Sequence, residues 1–269
     1  MRTLRLVVVS CSLGLVIGCE TPEPEPQEPD AAEVAGEPLL EDHEFADPEV
    51  TRVHSRMVGA MAPDGGWERA RYLEFDWVVD PDGDGPRRSN RFDRWEGRAL
   101  VEMSQEEGDL VAAFPVDEPA SGTALRNGEP LEGQEAVEAL EGAHRAHIND
   151  SYWLLMPYKW ADPGVSAEYL GQEEDEDGRE WEVVQLEFDD VGLTPQNVYR
   201  AFVDPESGLM GRWHHYGDAE ADPSPADWTG WERFGPIQLA TRRERNGDLF
   251  IGFENIRVEE EVPEGALDP

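Results

Sequence analysis

The histidines and carboxylates are the side chains here that could bind a metal or move a proton. His144, His147 and Asp150 recur at three-residue spacing, along one face of a helix, and His214-His215 could add a nitrogen from a strand. Zinc needs three or four convergent donors. Adjacent strand residues point to opposite faces, so only one of that pair could join. The competing reading is plain helix-surface and core histidine. Asp80, Asp82 and Asp84 alternate through DPDGDG as in a calcium loop, but Arg91 stands where the twelfth-position Glu belongs. That stretch reads as a hairpin turn. The chain has no Gly-x-Ser-x-Gly elbow and no phosphate-binding glycine loop. With 60 acidic residues, no acid–base pair can be singled out. The expectation is a non-enzymatic protein with no catalytic residues, no metal and no cofactor.

The two thiols are Cys11 and Cys19. Arg2 and Arg5 precede an apolar run, Leu6 to Ile17, whose twelve residues are too few to span a bilayer. The length suits the apolar core of a secretory signal. Val16-Ile17-Gly18-Cys19 resembles the lipobox of bacterial lipoproteins, which implies acylation of Cys19 and removal of residues 1–18. The mature chain then has no free thiol for a disulfide, for catalysis or for a metal. Glu20 to Asp42 holds nine acidic residues, five prolines and no basic one, so residues 19–42 read as an extended tether. By resemblance, Glu20 after the cysteine favours the outer membrane.

The chain carries 60 acidic against 22 basic residues, a net charge of −38. This disfavours nucleic acid and anionic lipid surfaces as partners. Against that background, SYWLLMPYKWADPGV (151–165) stands out, with four large aromatics and one lysine. Such a segment either packs a sheet against a helix or lines a cavity for an amphiphile. Met adapts to irregular chain shapes, and Tyr and Trp suit boundaries between apolar and wet surroundings. The candidate ligand-binding residues are Trp153, Met156, Trp160 and Trp213, with Lys159 at the rim to meet a head group.

The elements that must position these residues follow from periodicity. Val50, Val53, Met57, Val58 and Met61 recur at helical spacing after the Asp47-Pro48 start signal. Leu73, Phe75 and Trp77, and then Trp95, Gly97, Ala99, Val101 and Met103, alternate as half-buried strands. Asp109 to Val116 is a further strand, and Asn127-Gly128 is a turn. Gln134 to Ile148 predicts a second helix, with Val137, Leu140, His144, His147 and Ile148 on one stripe. Val184, Leu186 and Phe188 define another strand. Tyr199, Ala201 and Val203, then Leu209, Gly211 and Trp213, define a hairpin. Trp231 to Phe234, Ile237 to Arg243 and Leu249 to Val258 complete at least eight antiparallel strands. This is not the alternation of a parallel-sheet enzyme. A strongly curved sheet or partial barrel would limit exposed edges.

GGWERARYLEFDW, NDSYWLLMPYKWADPGV, YRAFVDPESGLMGRW and FIGFENIRV together resemble a family of uncharacterised exported bacterial proteins. That family is similar in layout to the LolA/LolB-like lipoprotein carriers. The resemblance covers most of Glu49 to Val258. It implies an incomplete antiparallel β-barrel (a mainly β, α+β fold) over residues 43–269, with two or three helices packed over its open face. It also implies binding of a lipid or a lipoprotein acyl chain. The apolar loop that LolB-like receivers expose near the N-terminus has no counterpart here. The resulting expectation is a monomeric, membrane-anchored envelope lipoprotein that binds or carries an amphiphile. The alternatives are a structural or interaction lipoprotein with a packed core, and a metal-dependent hydrolase.

Overall fold

The computed structural model describes residues 39–189, 192–218 and 220–269; the signal, Cys19 and most of the tether lie outside these residues. A turn of 3-10 helix at Leu40–Asp42, within the span read as tether, opens the described chain, and the Leu40 N–H donates to Glu68 Oε1 at 2.6 Å.

Helix α1 (Pro48–Met61) starts where the sequence signals it. The Asp47 side chain accepts from the Glu49 N–H at 2.9 Å, and Pro48 fills the first turn, where no N–H is needed. Val50, Val53, Met57, Val58 and Met61 are its buried stripe. Gly65, at φ 65°, turns the chain into the single-turn helix α2 (Gly66–Arg69). A Cβ on Gly66 would lie 2.4 Å from the Pro236 carbonyl oxygen, so only glycine allows this approach.

One antiparallel sheet then holds thirteen strands among the described residues. β1 (Tyr72–Val79), β2 (Arg87–Asp93), β3 (Arg98–Gln105), β4 (Gly108–Pro115), β5 (Thr123–Arg126) and β6 (Glu129–Pro130) form one meander. Helix α3 (Gly133–Leu155) leads to the opposite edge. There β7 (Val165–Glu174), β8 (Glu180–Phe188), β9 (Val198–Val203), β10 (Met210–Tyr216), β11 (Ser224–Phe234), β12 (Ile237–Arg245) and β13 (Asp248–Glu259) form a second meander. Strand β13 closes the two halves by pairing with β1, leaving β6 and β7 as the edges of an open sheet.

Strands β7 and β12 both touch α1, although five strand spacings separate them, about 24 Å on a flat sheet. The sheet therefore curls around the helix. Its large core joins α1, the end of α3 and the inward residues of β1 and β8–β13; a smaller cluster packs the first half of α3 on β3–β5. An open, curved antiparallel sheet with helices on its inner face is the architecture expected from the sequence.

Several local expectations change. Trp95 is not in a strand: it lies in the β2–β3 turn, 59% exposed, because Gly97 at φ 59° breaks the extended backbone and β3 begins at Arg98. Strand β2, RRSNRFD, and edge strand β7 were not anticipated; β2 lacks apolar alternation, and a bulge at Tyr169/Gly171 interrupts that of β7. Helix α3 runs on to Leu155. It buries Leu140 and His147 as expected but leaves Val137, His144 and Ile148 half-exposed, while Ala139, Ala143, Asp150 and Leu154 carry its buried face. A bulge between Met210 and Arg212 resets the β10 face. Met210 and Trp213 point to the core, whereas Gly211 lies under Trp181, whose ring a Cβ would meet at 2.5 Å.

Candidate functional site: an aromatic pocket backed by a buried arginine

The last two turns of α3 form one wall of a pocket of about 170 Å3, lined by Ile148, Tyr152 and Trp153 from the helix, Phe188 from β8, Leu193 from the loop beyond it, and Tyr199 from β9. Phe188 meets both Tyr152 and Tyr199 edge to face, and the two tyrosine rings are tilted against each other. Phe188 and Tyr199 are 5.7 Å apart at 85°, and Tyr152 lies 5.4 Å from Tyr199 and 6.1 Å from Phe188. Burial pushes the Tyr152 phenol well above its usual range and raises Tyr199, so both rings stay neutral at physiological pH. Leu193 is 47% exposed at the pocket's mouth.

Trp213 is buried behind two of the lining rings, Trp153 and Tyr199. It stands opposite Ala201 on β9 and Ala226 on β11, whose small side chains leave room for the indole. Its ring lies 4.4 Å from Trp153, 5.0 Å from Tyr199 and 5.4 Å from Trp228.

Behind Trp153 sits Arg243 of β12, fully buried. Its guanidinium carbon is 3.4 Å from the Trp228 ring and 4.9 Å from Phe253. Nη1 donates to the Ala240 and Arg242 carbonyls, both at 3.0 Å. Nε donates to the Trp153 carbonyl at 3.1 Å, and Nη2 donates to the same oxygen. That carbonyl belongs to the last turn of α3, where the helix offers it no donor. Arg243 completes the helix end and complements its dipole. Burial lowers its pKa, yet arginine keeps its proton in proteins. The pocket is thus backed by a cation held by neutral acceptors. The indole nitrogens of Trp213 and Trp228 are also buried and without a partner among the described residues.

The five candidate binding residues separate in space. Trp153 lines the pocket and Trp213 supports it. Met156 and Trp160 are fully buried in the packed core; Trp160 lies 6.0 Å from His54, away from the pocket. Lys159 does not line the pocket; its Nζ is 2.5 Å from Asp162 Oδ2. Cys19 lies outside the described residues. Phe188, Leu193, Tyr199 and Arg243 were not among the expected binding residues, and Tyr152 entered only as part of the aromatic stretch 151–165. Alternation placed Phe188 and Tyr199 on strand faces, without marking them as pocket lining; Arg243, inside the polar run TRRER, gave no signal.

The side chains considered for a metal do other work. Asp150 accepts from Arg88 Nε at 2.7 Å, from Asn90 Nδ2 at 3.2 Å and from Asn149 Nδ2 at 3.0 Å. His147 Nδ1 is 3.3 Å from Asn90 Oδ1, and His144 packs edge-on to Phe114. Among the described residues, no three or more His, Cys, Asp or Glu side chains are placed to hold a metal ion, and no helix is long and apolar enough to cross a membrane.

No family model matches the chain, and no curated protein does. Solved structures similar to it include a LolA superfamily protein from Nitrosomonas europaea, at 11% identity and a TM-score of 0.49, covering 82% of this chain and 97% of that one. Others are a DUF1329 family protein from Desulfovibrio piger (12%, 0.43, 84% and 98%) and a putative outer membrane lipoprotein-sorting protein domain from Vibrio parahaemolyticus (10%, 0.41, 81% and 95%). These names coincide with the resemblance read from the sequence.

Proposed function

We propose that this domain binds an amphiphile without catalysis, taking its apolar chain into the pocket between Tyr152, Trp153, Phe188 and Tyr199. The observation that carries this reading is the pocket itself: a ring-lined recess at the end of α3, open to solvent past Leu193. Apolar area rather than hydrogen bonding would drive binding, at about 0.8 kcal/mol for each CH2 removed from water. Ligand sites commonly exceed about 300 Å3. A long chain therefore needs Trp153, half-buried and at the wall, to swing aside and extend the recess toward Trp213. Acylation of Cys19 would hold the domain at the envelope membrane, the outer membrane in this reading, on its acidic tether.

One observation favours a second reading, a structural or interaction lipoprotein. The inner face of the sheet is filled by its own side chains, with Met156, Trp160 and Trp213 at most 1% exposed. The hydrolase reading loses support, since Asp150 is committed to Arg88.

Native mass spectrometry of protein purified from its own host, followed by extraction and identification of bound lipid, separates the first two readings. A discrete bound species is expected. It should be lost in Leu193→Asp, which puts a charge at an exposed position of the mouth and spares the core. Retention of the species in that variant would place it elsewhere. A clean apo mass with no uptake of a fluorescent fatty acid would leave the interaction reading.

A further inference from the structure

Arg243 and the indoles around it bear on which head group the ligand carries. We propose that the site selects single-chain amphiphiles with an anionic head, a carboxylate or a phosphate, and that this head takes the place of the Trp153 carbonyl on Arg243. The inference rests on the amphiphile-binding reading above.

The Nε and Nη2 atoms form the edge of a guanidinium that grips a carboxylate or phosphate through two parallel hydrogen bonds. In this structure both donate to one neutral oxygen, that of Trp153. A cation removed from water without a counter-charge is costly, and an anion would supply both a second acceptor and the missing charge. No carboxylate among the described residues contributes to the Arg243 environment, which burial alone dominates.

Two buried indoles near Arg243 also have unused donors. Buried polar groups in folded proteins are nearly always partnered, yet the Trp213 and Trp228 indole nitrogens, like those of Trp77 and Trp160 elsewhere in the fold, have no partner among the described residues. The Trp228 ring lies 3.4 Å from the guanidinium carbon, and the Trp213 ring 5.4 Å from Trp228. A head group that reaches Arg243 arrives beside the Trp228 ring, with Trp213 one ring further.

The route follows from the part Trp153 plays twice. Its side chain walls the pocket, and its carbonyl occupies Arg243. Helix α3 ends two residues later at Leu155, and Pro157 follows. Lifting only the last turn would open the recess and free the bidentate edge in one movement. Long-range electrostatics work against anions, since the chain carries a net charge of −38. A preference for an anionic head must then come from a local cation, which sharpens the test.

The test titrates the full chain carrying Cys19→Ser, so that no acyl chain of its own competes, with palmitate, hexadecyl phosphate and hexadecanol. All three share a C16 tail, and tryptophan emission reports binding. At least one of the two anions should bind about tenfold tighter than hexadecanol or better, the scale of one charge-assisted contact. The stronger of the two identifies the head group. Arg243→Met should keep hexadecanol binding and lose the preference; Trp228→Phe, which keeps a ring but removes an N–H, should weaken it. Equal affinity for anions and alcohol in the Arg243 protein overturns the inference while leaving amphiphile binding intact. So does a preference that survives Arg243→Met. Failure of all three ligands to bind removes the amphiphile reading itself, and this inference with it. Should Arg243→Met not fold, the head-group series and Trp228→Phe decide.

Discussion

Two histidines are buried neutral in this fold, and they should make it acid-labile above the range where carboxylates titrate. His54 of α1 is fully buried, 4.9 Å from the Phe45 ring and 6.0 Å from Trp160, and neither ring nitrogen has a partner among the described residues. Burial first, and nearby His43 second, lower its pKa from the usual histidine value of 6.5 to about 4. His147 of α3 is 1% exposed against Phe92 and Asn90. Burial, with smaller contributions from His144 and Lys159, lowers it to about 3.

Both folded pKa values lie below the unfolded one, so the unfolded chain binds more protons. The stability these groups contribute is present above about pH 6.5 and drains away as pH falls toward the folded values. At about pH 5 each neutral histidine costs about 2 kcal/mol, and the pair about 4 kcal/mol, a large share of an ordinary domain's roughly 5–15 kcal/mol. Urea unfolding followed by tryptophan emission at about pH 8 and about pH 5, at one ionic strength, should show a loss of that order with an unchanged slope. His54→Met removes one titrating group and its two unpartnered nitrogens while keeping an apolar filling. The variant should show about half the acid loss. If the unaltered protein is equally stable at both pH values, or the variant keeps the full pH dependence, the account of His54 is wrong.

Other substitutions probe the scaffold. Gly211→Ala puts a Cβ within 2.5 Å of the Trp181 ring and should cost about 1–3 kcal/mol by urea unfolding; a neutral effect would mean the bulge yields freely. Burial alone would raise the Glu182 carboxyl, but Arg52, at 2.6 Å, and Arg56 hold its pKa below the usual value. This contribution is present above the unfolded pKa and lost as pH falls through the folded one. Glu182→Gln should then cost roughly 1–2 kcal/mol near neutral pH, discounted because both arginines are partly exposed. Asp150→Asn strands the Arg88 guanidinium over the Trp77 ring and should cost about 3 kcal/mol; a change under about 1 kcal/mol would show that water reaches this network. Cys19→Ser should move the protein from the membrane to the soluble fraction of a fractionated cell, and unchanged membrane retention would count against acylation there.

What was legible in the sequence is what hydrophobic period and turn chemistry encode directly. The α1 stripe with Asp47-Pro48 ahead of it, the Val184/Leu186 face of β8 and the Asn127-Gly128 turn each carry a local signal, and each forms as expected. Strand β2 does not, because its partners are polar and distant in sequence. Arg88 and Asn90 meet Asp150 some sixty positions away, so a strand without apolar alternation is still held on its face by α3. The same cause hid the site. Trp153 was visible as an aromatic in an acidic chain, but its meaning depends on Arg243, ninety residues on and surrounded by charged neighbours. Nothing in TRRER marks its first-but-one arginine as the buried one. That is settled by register, since pairing Arg243 with Trp228 and Ile251 turns it inward while its neighbour Arg242 stays on the outer face beside Glu244. A one-residue slip of β12 would exchange the two. The placement of this cation therefore depends on the Asn246-Gly247 turn and the Arg243/Glu244 bulge, and through them on the register of β12 and β13, more than on any property of the arginine itself.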